Sequence, residues 1–315
     1  MAQINRTELL QALAIVKPGL ASKEIIDQST SFAFIDGRVV TYNDEISLSH
    51  PVSFSGITGA IKADELYLLL NKTKSEEIEM DITETEILLK VGRAKAGLTL
   101  QKEILLPLDE VAEKGKWKEL PENFAENLKL ASQTCAKDLS APLLTCIHVR
   151  RDGTIEACDN YSAIAITGDE MPVDNFLLPA SAAAQVIKLN PTKISTALGW
   201  VHFRNKEKTI LSCRVYEETY PDISVFFKVK GTKVTLPENL ATIVDTASIF
   251  SKRDHVSDEA VTIRLKENRI VISGKSDTGW YREDAKIKYS GEELTFSISP
   301  YLLSRFLSHT RDCLV

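Results

Sequence analysis

The sequence predicts an α+β fold built from three tandem copies of one domain. Each copy has two helix-plus-strands halves, with helices packed on antiparallel sheets. Two observations carry this. First, Leu120-Pro121-Glu122-Asn123 returns as Leu236-Pro237-Glu238-Asn239, 236 − 120 = 116 positions later. Each occurrence opens a short strand, a proline turn and an amphipathic helix. Second, counting back 116 from Leu120 reaches Ile4, where Asn5-Arg6-Thr7-Glu8-Leu9-Leu10 starts a similar helix. A period this long exceeds a solenoid unit and suits a whole domain. The expected boundaries are 1–116, 117–231 and 232–315. Three full copies would need 3 × 116 = 348 residues against the 315 present, so the third is expected to lack the counterpart of Trp200 to about Gly231.

In the first copy, Leu9, Leu10, Leu13 and Val16 share one helical face, and Pro18-Gly19 stops that helix. Ser31–Ile35 and Arg38–Tyr42 alternate around Asp36-Gly37, a hairpin signal, and a further strand is expected from Glu45 to Val52. A second helix at Ala63–Leu70 precedes strands at Glu77–Ile82, Glu86–Val91 and Ala96–Leu100. The second copy repeats the plan: helix Glu122–Lys137, strands Leu144–Val149 and Thr154–Cys158, helix Ala180–Lys188, strands Lys193–Leu198, Val201–Arg204 and Thr209–Val215. The third has helix Glu238–Phe250, strands Ala260–Leu265, Arg269–Ser273 and Ala285–Tyr289, and helix Pro300–Leu307. Open sheets leave edge strands that invite pairing, and repeated modules can satisfy both edges by closing head to tail with a second chain.

Composition excludes several classes. The chain is 43% hydrophobic and 26% charged, which is ordinary for a globular protein. No apolar run approaches a membrane span and no signal peptide opens the chain, so a cytoplasmic protein without membrane contact is expected. Cys135, Cys146, Cys158, Cys213 and Cys313 are odd in number and lack C-x-x-C spacing, which argues for reduced thiols and against disulfides or zinc. The net charge of −6 argues against nucleic-acid binding over the whole surface. His50, His148, His202, His255 and His309 show no metal-ligand spacing, and no phosphate loop or nucleophile elbow occurs. Cys158-Asp159 does not make a nucleophile–acid pair, because neighbouring side chains at a strand end diverge. No catalytic residue, cofactor or metal is therefore expected.

Four segments, in this order and spacing, carry a resemblance over essentially the whole chain. Glu156-Ala157-Cys158-Asp159-Asn160-Tyr161-Ser162-Ala163 is similar to the alanine-threonine-aspartate-glycine-histidine-arginine-leucine turn of the bacterial sliding clamps, the beta subunits of replicative DNA polymerase. Tyr220-Pro221-Asp222-Ile223 resembles that family's phenylalanine-proline-aspartate-tyrosine segment. Ile272 to Glu283 resembles a strand pair of the third domain, and Ser299-Pro300-Tyr301-Leu302-Leu303 the last helix. The resemblance implies a three-domain chain whose homodimer forms a six-domain ring around double-stranded DNA. It also implies an ATP-driven clamp loader, tethering of a DNA polymerase, and binding of other proteins with clamp-binding motifs.

Three residue sets follow. Basic residues sit at or just after the C-terminal end of every expected helix: Lys17; Lys72 and Lys74; Lys137; Lys188 and Lys193; Lys252 and Arg253; Arg305 and Arg311. Cations favour helix C-termini by about 0.3–1 kcal/mol each through the dipole. In the family the helices line the hole, so the same set would contact phosphates without reading bases, inside an acidic outer wall. The family's client-peptide pocket, between its middle and last domains, corresponds to Leu144, Cys158, Asn160, Tyr161, Ser162, Ala163, Pro221 and Phe226. Tyr161, Ser162 and Ala163 replace the family's histidine-arginine-leucine, which implies a different client motif. The dimer seam corresponds to Ala96 and Leu98 in the first copy and Ile249 and Phe250 in the third; neighbours such as Ile249 and Phe250 cannot both face one core. The competing expectation, favoured by the short third copy, is a clamp-derived module that closes no ring and captures clamp partners.

Overall fold

The computed structural model describes residues 2–54, 56–111, 115–253 and 258–315; His255 lies outside them. In chain order the first copy holds β1 (Ala2–Asn5), α1 (Arg6–Val16), β2 (Ser31–Ile35), β3 (Arg38–Tyr42), β4 (Ile46–Pro51), β5 (Gly59–Lys62), α2 (Ala63–Lys72), β6 (Glu77–Ile82), β7 (Glu86–Val91) and β8 (Ala94–Thr99). A four-residue α3 (Leu108–Val111) leads to β9 (Lys118–Glu119), α4 (Phe124–Ser132), β10 (Cys146–Val149), β11 (Thr154–Cys158), β12 (Ala163–Thr167), β13 (Phe176–Pro179), α5 (Ala180–Leu189), β14 (Lys193–Ala197), β15 (Trp200–Arg204) and β16 (Ile210–Arg214). Then come β17 (Lys233–Thr235), α6 (Leu240–Ser248), β18 (Val261–Lys266), β19 (Arg269–Ser276), β20 (Gly279–Lys286), β21 (Leu294–Ile298), α7 (Pro300–Leu307) and β22 (Asp312–Leu314).

Local chemistry sets the helix ends. The Asn5 side chain accepts from the Glu8 N–H at 3.0 Å and caps α1. At the other end the buried Thr41 hydroxyl donates to Val16 O at 2.6 Å. Gly19 lies so close that a β-carbon there would meet the Thr41 hydroxyl at 2.3 Å. α4 is shorter than the expected 122–137 because the Ala136 N–H leaves the helix to donate to Leu144 O at 2.8 Å. α6 is likewise shorter than 238–250, and the Thr246 and Ser248 hydroxyls turn back onto Thr242 O and Asp245 O near its end. The third-copy strand expected at 285–289 lies earlier, at 279–286, where it answers β19 residue by residue from Arg269↔Lys286 to Ser276↔Gly279.

The chain forms two compact units, 1–221 and 222–315. In the first, β1-β6-β7-β8 and β12-β11-β10-β13 are four-stranded sheets, and β5-β2-β3-β4-β16-β15-β14-β9 is one eight-stranded sheet. That large sheet joins the first two copies: β4 and β16 pair antiparallel through Leu211↔Leu48, Ser212↔Ser47 and Cys213↔Ile46. The second unit holds β20-β19-β18-β21 and the two-stranded β17-β22. One apolar core runs from Ile4 to Cys213, and a separate one fills the second unit around Leu240, Val244, Ile263 and Ile272.

The face of the eight-stranded sheet away from the helices is also buried. Residues 102–111 cross it as a strap, setting Leu106 and Val111 over Val40, Tyr42, Ala60 and Trp200. Gln28 fastens the strap, donating to Glu103 O and accepting from Leu105 N, both at 2.8 Å. On this face His202 is fully buried; its Nδ1 meets the Ser212 hydroxyl at 2.8 Å, and burial lowers its pKa to about 4.

Candidate DNA-facing, client and seam surfaces

The helix-end cations do not share one environment. Lys72, Lys74, Lys137, Lys188 and Lys252 are exposed. Lys17 is exposed at the end of α1, its ammonium 4.2 Å from the Tyr67 ring centre on α2. The ends of α1 and α5 meet on one face of the first unit, where Ile15, Pro18, Lys188 and Leu189 line a cleft of about 230 Å³ above Leu48. Three members are already engaged. Lys193 pairs with Glu119 at 2.7 Å, Arg311 with Glu238 at 3.3 Å, and Arg253 donates to Lys252 O and Lys275 O. Arg305 lies over the Tyr301 ring, with 5.7 Å from its guanidinium carbon to the ring centre. A phosphate would compete with those partners.

The sheet faces opposite the helices differ between units. On β6 and β7, residues alternate so that Ile78, Met80, Ile87 and Leu89 are buried, while Glu77, Glu79, Asp81 and Glu86 point the other way. The second unit departs from the expected acidic outside. There Arg264, Lys266, Arg269, Lys275, Arg282 and Lys286 lie on the outward face, where Asp284 and Glu293 neutralise part of the charge.

Of the client set, Cys158 is held by a tyrosine of the same unit. The Tyr220 hydroxyl accepts from the Cys158 N–H at 3.0 Å and lies 3.5 Å from its Sγ; its ring packs on His148 at 5.2 Å between centroids. His148 Nδ1 in turn contacts Glu156 at 2.8 Å. Tyr220 thereby fastens the segment leading to Pro221 against β11. Burial raises the Cys158 thiol pKa and pushes that of Cys135 up to about 12, so neither is a ready nucleophile. Beyond Cys158 the chain turns on Asp159, whose Oδ1 accepts from the N–H groups of Tyr161 and Ser162 at 2.8 and 2.7 Å. The turn leaves Asn160 exposed and Tyr161 69% exposed, with Ser162 and Ala163 half-buried. Leu144 closes the α4–β10 connection beside Cys146, half-buried. Phe226 belongs to the second unit, in a 3-10 turn over Ser224–Phe227, and is exposed. The sequence reading missed Tyr220 as the anchor; the sole available signal was its place beside Pro221.

The seam set falls at sheet edges. Ala96 and Leu98 lie on β8, the last strand of its sheet. Ile249 is 61% exposed just past α6, while the half-buried Phe250 lays its ring on Gly279 of β20, the last strand of another sheet. β8 and β20 are therefore edge strands, with Ala96 and Leu98 half-buried on β8 and Trp280 exposed on β20.

Among the described residues no three His, Cys, Asp or Glu side chains converge in a way that could hold a metal ion, and no helix is long and apolar enough to cross a membrane.

Repeated helix pairs backed by sheets, one of them continuous across two copies, define the sliding-clamp class of fold. Solved structures agree over nearly the full chain. The DNA polymerase III beta chain of Streptococcus pneumoniae superposes with a TM-score of 0.84 at 18% identity, covering 98% of this chain and 90% of that one. The beta subunit from DNA polymerase of Streptococcus pyogenes gives 0.82 at 21% identity, covering 97% and 89%. A putative DNA polymerase III beta subunit of Eubacterium rectale gives 0.83 at 14%, covering 98% and 91%. The chain has the fold of bacterial DNA polymerase III beta subunits. No protein-family profile and no curated protein sequence matches it.

Proposed function

We propose that the chain is a DNA sliding clamp: a processivity factor that encircles duplex DNA as a homodimeric ring in the cytoplasm and tethers a replicative polymerase. The observation that carries this reading is the clamp fold over nearly the whole chain, with TM-scores of 0.82–0.84 to the three beta subunits named above. The repeated architecture supports it, because β4 and β16 already join two copies edge to edge within one chain. A ring follows if β8 and β20 of two chains join in the same way. Exposed lysines at helix ends would meet phosphates without reading sequence, so holding would be topological and sliding unhindered. An ATP-driven loader would open the ring. Clients with short apolar motifs would dock where Tyr161 stands exposed on the turn after Cys158, and tethering acts by raising their effective concentration.

The test is topological. The chain is diluted to separate subunits, mixed with nicked circular duplex DNA, concentrated again and passed through a sizing column. Retention on the circle that is lost when a restriction enzyme linearises it supports the clamp. Equal retention on both forms, or none on either, sinks it. The second reading, a clamp-derived module that closes no ring, draws on the two-stranded β17-β22 sheet and predicts no retention on either form.

A further inference from the structure

The internal repeat also fixes which residues of a second copy β8 and β20 would meet, given the head-to-tail pairing proposed above. Glu76 O and Thr192 O, 192 − 76 = 116 positions apart, accept the bonds that open β6 and β14 from Arg6 N and Leu120 N, which are 120 − 6 = 114 apart, so the offset of 116 holds for β6 and β14 and not for the segment before them. That offset sets Met80 and Thr196 at the same place, so their partners Leu89 and Val201 correspond. Ala96 and Gly97 of β8 then occupy the places of Cys213 and Arg214 of β16. On the other side, the β2–β3 hairpin closes at Ile35↔Arg38 and the β18–β19 hairpin at Lys266↔Arg269. Their outer partners are Pro51 and Lys286, so Ser47 and Ile46 correspond to Arg282 and Tyr281. Within the chain, Ser212 faces Ser47, Cys213 faces Ile46, and the Arg214 N–H donates to Glu45 O at 2.9 Å. Carried over, Lys95 faces Arg282, Ala96 faces Tyr281, Gly97 faces Trp280 and Leu98 faces Gly279.

We propose that two chains associate in this register, locked by two knobs set against two glycines. On the outward face Trp280, 70% exposed, enters the gap at Gly97 and packs on Leu88, itself 38% exposed. A β-carbon at Gly97 would lie 3.4 Å from both the Leu88 Cδ2 and a Glu86 carboxylate oxygen, so the gap is lined by an alkyl group on one side and a carboxylate on the other. On the helix face Leu98 stands over Gly279 and meets the Phe250 ring that covers it. Aromatic side chains seated in pockets dominate association energies, and an aromatic across from a strand glycine restores lost packing. Lys95 opposite Arg282 is a like-charge pair that weakens the seam.

β12 is a second edge of the same kind as β20, because Cys158↔Ala163 matches Tyr42↔Ser47 and places Ala163 where Arg282 stands. Length selects between them. In this register Ala94–Leu98 lie opposite Gly279–Glu283, five positions inside both strands, whereas β12 would overlap β8 at Ala94 and Lys95 alone.

The test combines sedimentation across a concentration series with thiol cross-linking of three double variants, each with single-cysteine controls. K95C with R282C should cross-link between chains, while K95C with D284C (a two-residue slip) and K95C with A163C (the β12 edge) should not. W280A, whose parent side chain is 70% exposed in the single chain, should weaken the dimer roughly thirtyfold per seam while leaving the far-ultraviolet circular dichroism unchanged. A dimer that cross-links at 95/284 or 95/163, or that tolerates W280A unchanged, overturns the proposed register while leaving association intact. A chain that stays monomeric throughout overturns both the register and the ring.

Discussion

The first unit and the second apply the same repeat to different extents. In the first, β4 of one copy meets β16 of the next, the joined sheet gains a helix-side core, and the 102–111 strap buries its other face. In the second, β20-β19-β18-β21 repeats the four-stranded plan, while its companion sheet has two described strands, β17 and β22. Stability here comes from edges being closed. A paired edge lets both faces of a sheet be covered, and an open one leaves groups such as Trp280 and Ile249 in water. Denaturant should therefore melt the second unit first, seen as two transitions by circular dichroism; a single concerted transition would make the units energetically one.

Changes inside the eight-stranded sheet should move the later transition alone. The largest effect is expected from Phe203→Ala. Phe203 is fully buried, stacked on Phe124 at 5.8 Å and edge-on to Phe176 at 6.5 Å, and its loss should cost about 3–5 kcal/mol. A shift of the early transition instead would show that the two units do not melt independently.

His202 should make the first unit's stability depend on pH. Its folded pKa of about 4 lies below the ordinary 6.5, so the unfolded chain binds the extra proton. Stability is then full above pH 6.5 and falls as pH drops toward 4, by about 3 kcal/mol in all. The later transition should carry this loss, and His202→Gln, which keeps a hydrogen-bonding group beside Ser212, should flatten it. Tyr220→Phe should cost less, about 1–2 kcal/mol, because the Cys158 N–H loses its acceptor. Hydrogen exchange at Cys158 should then quicken; unchanged exchange would remove Tyr220 as the anchor. Smallest is Lys188→Ala, which should reduce the slope of log affinity for duplex DNA against log salt by about 0.9. An unchanged slope would take Lys188 out of the DNA-facing set.

Much of the fold was legible. Strands 77–82, 86–91 and 154–158 and helix 300–307 stand where alternation and the Ser299-Pro300 start place them. β12 and β13 were missed because Ala163–Thr167 and Phe176–Pro179 are short, even though Asp159-Asn160 and Gly168-Asp169 bound the first and Asp174-Asn175 precedes the second. The strap at 102–111 was missed because its apolar residues answer Trp200 and Tyr42, far away in sequence. Site legibility followed the same division. Position at a helix end is a local property, so the basic set could be assembled from sequence. That Lys193 is held by Glu119 and Arg311 by Glu238 depends on strand and turn pairings that only the fold reveals. Ala96, Leu98, Ile249 and Phe250 were found through resemblance, but Trp280 and Gly97 become visible only when the ladders of two copies are laid over each other.

Sedimentation equilibrium of the chain over a wide concentration range tests most directly whether the open edges close as β4 and β16 do. A discrete dimer of twice the 35.0 kDa chain mass is expected. A monomer at every concentration, or open-ended growth without a dimer plateau, would contradict it.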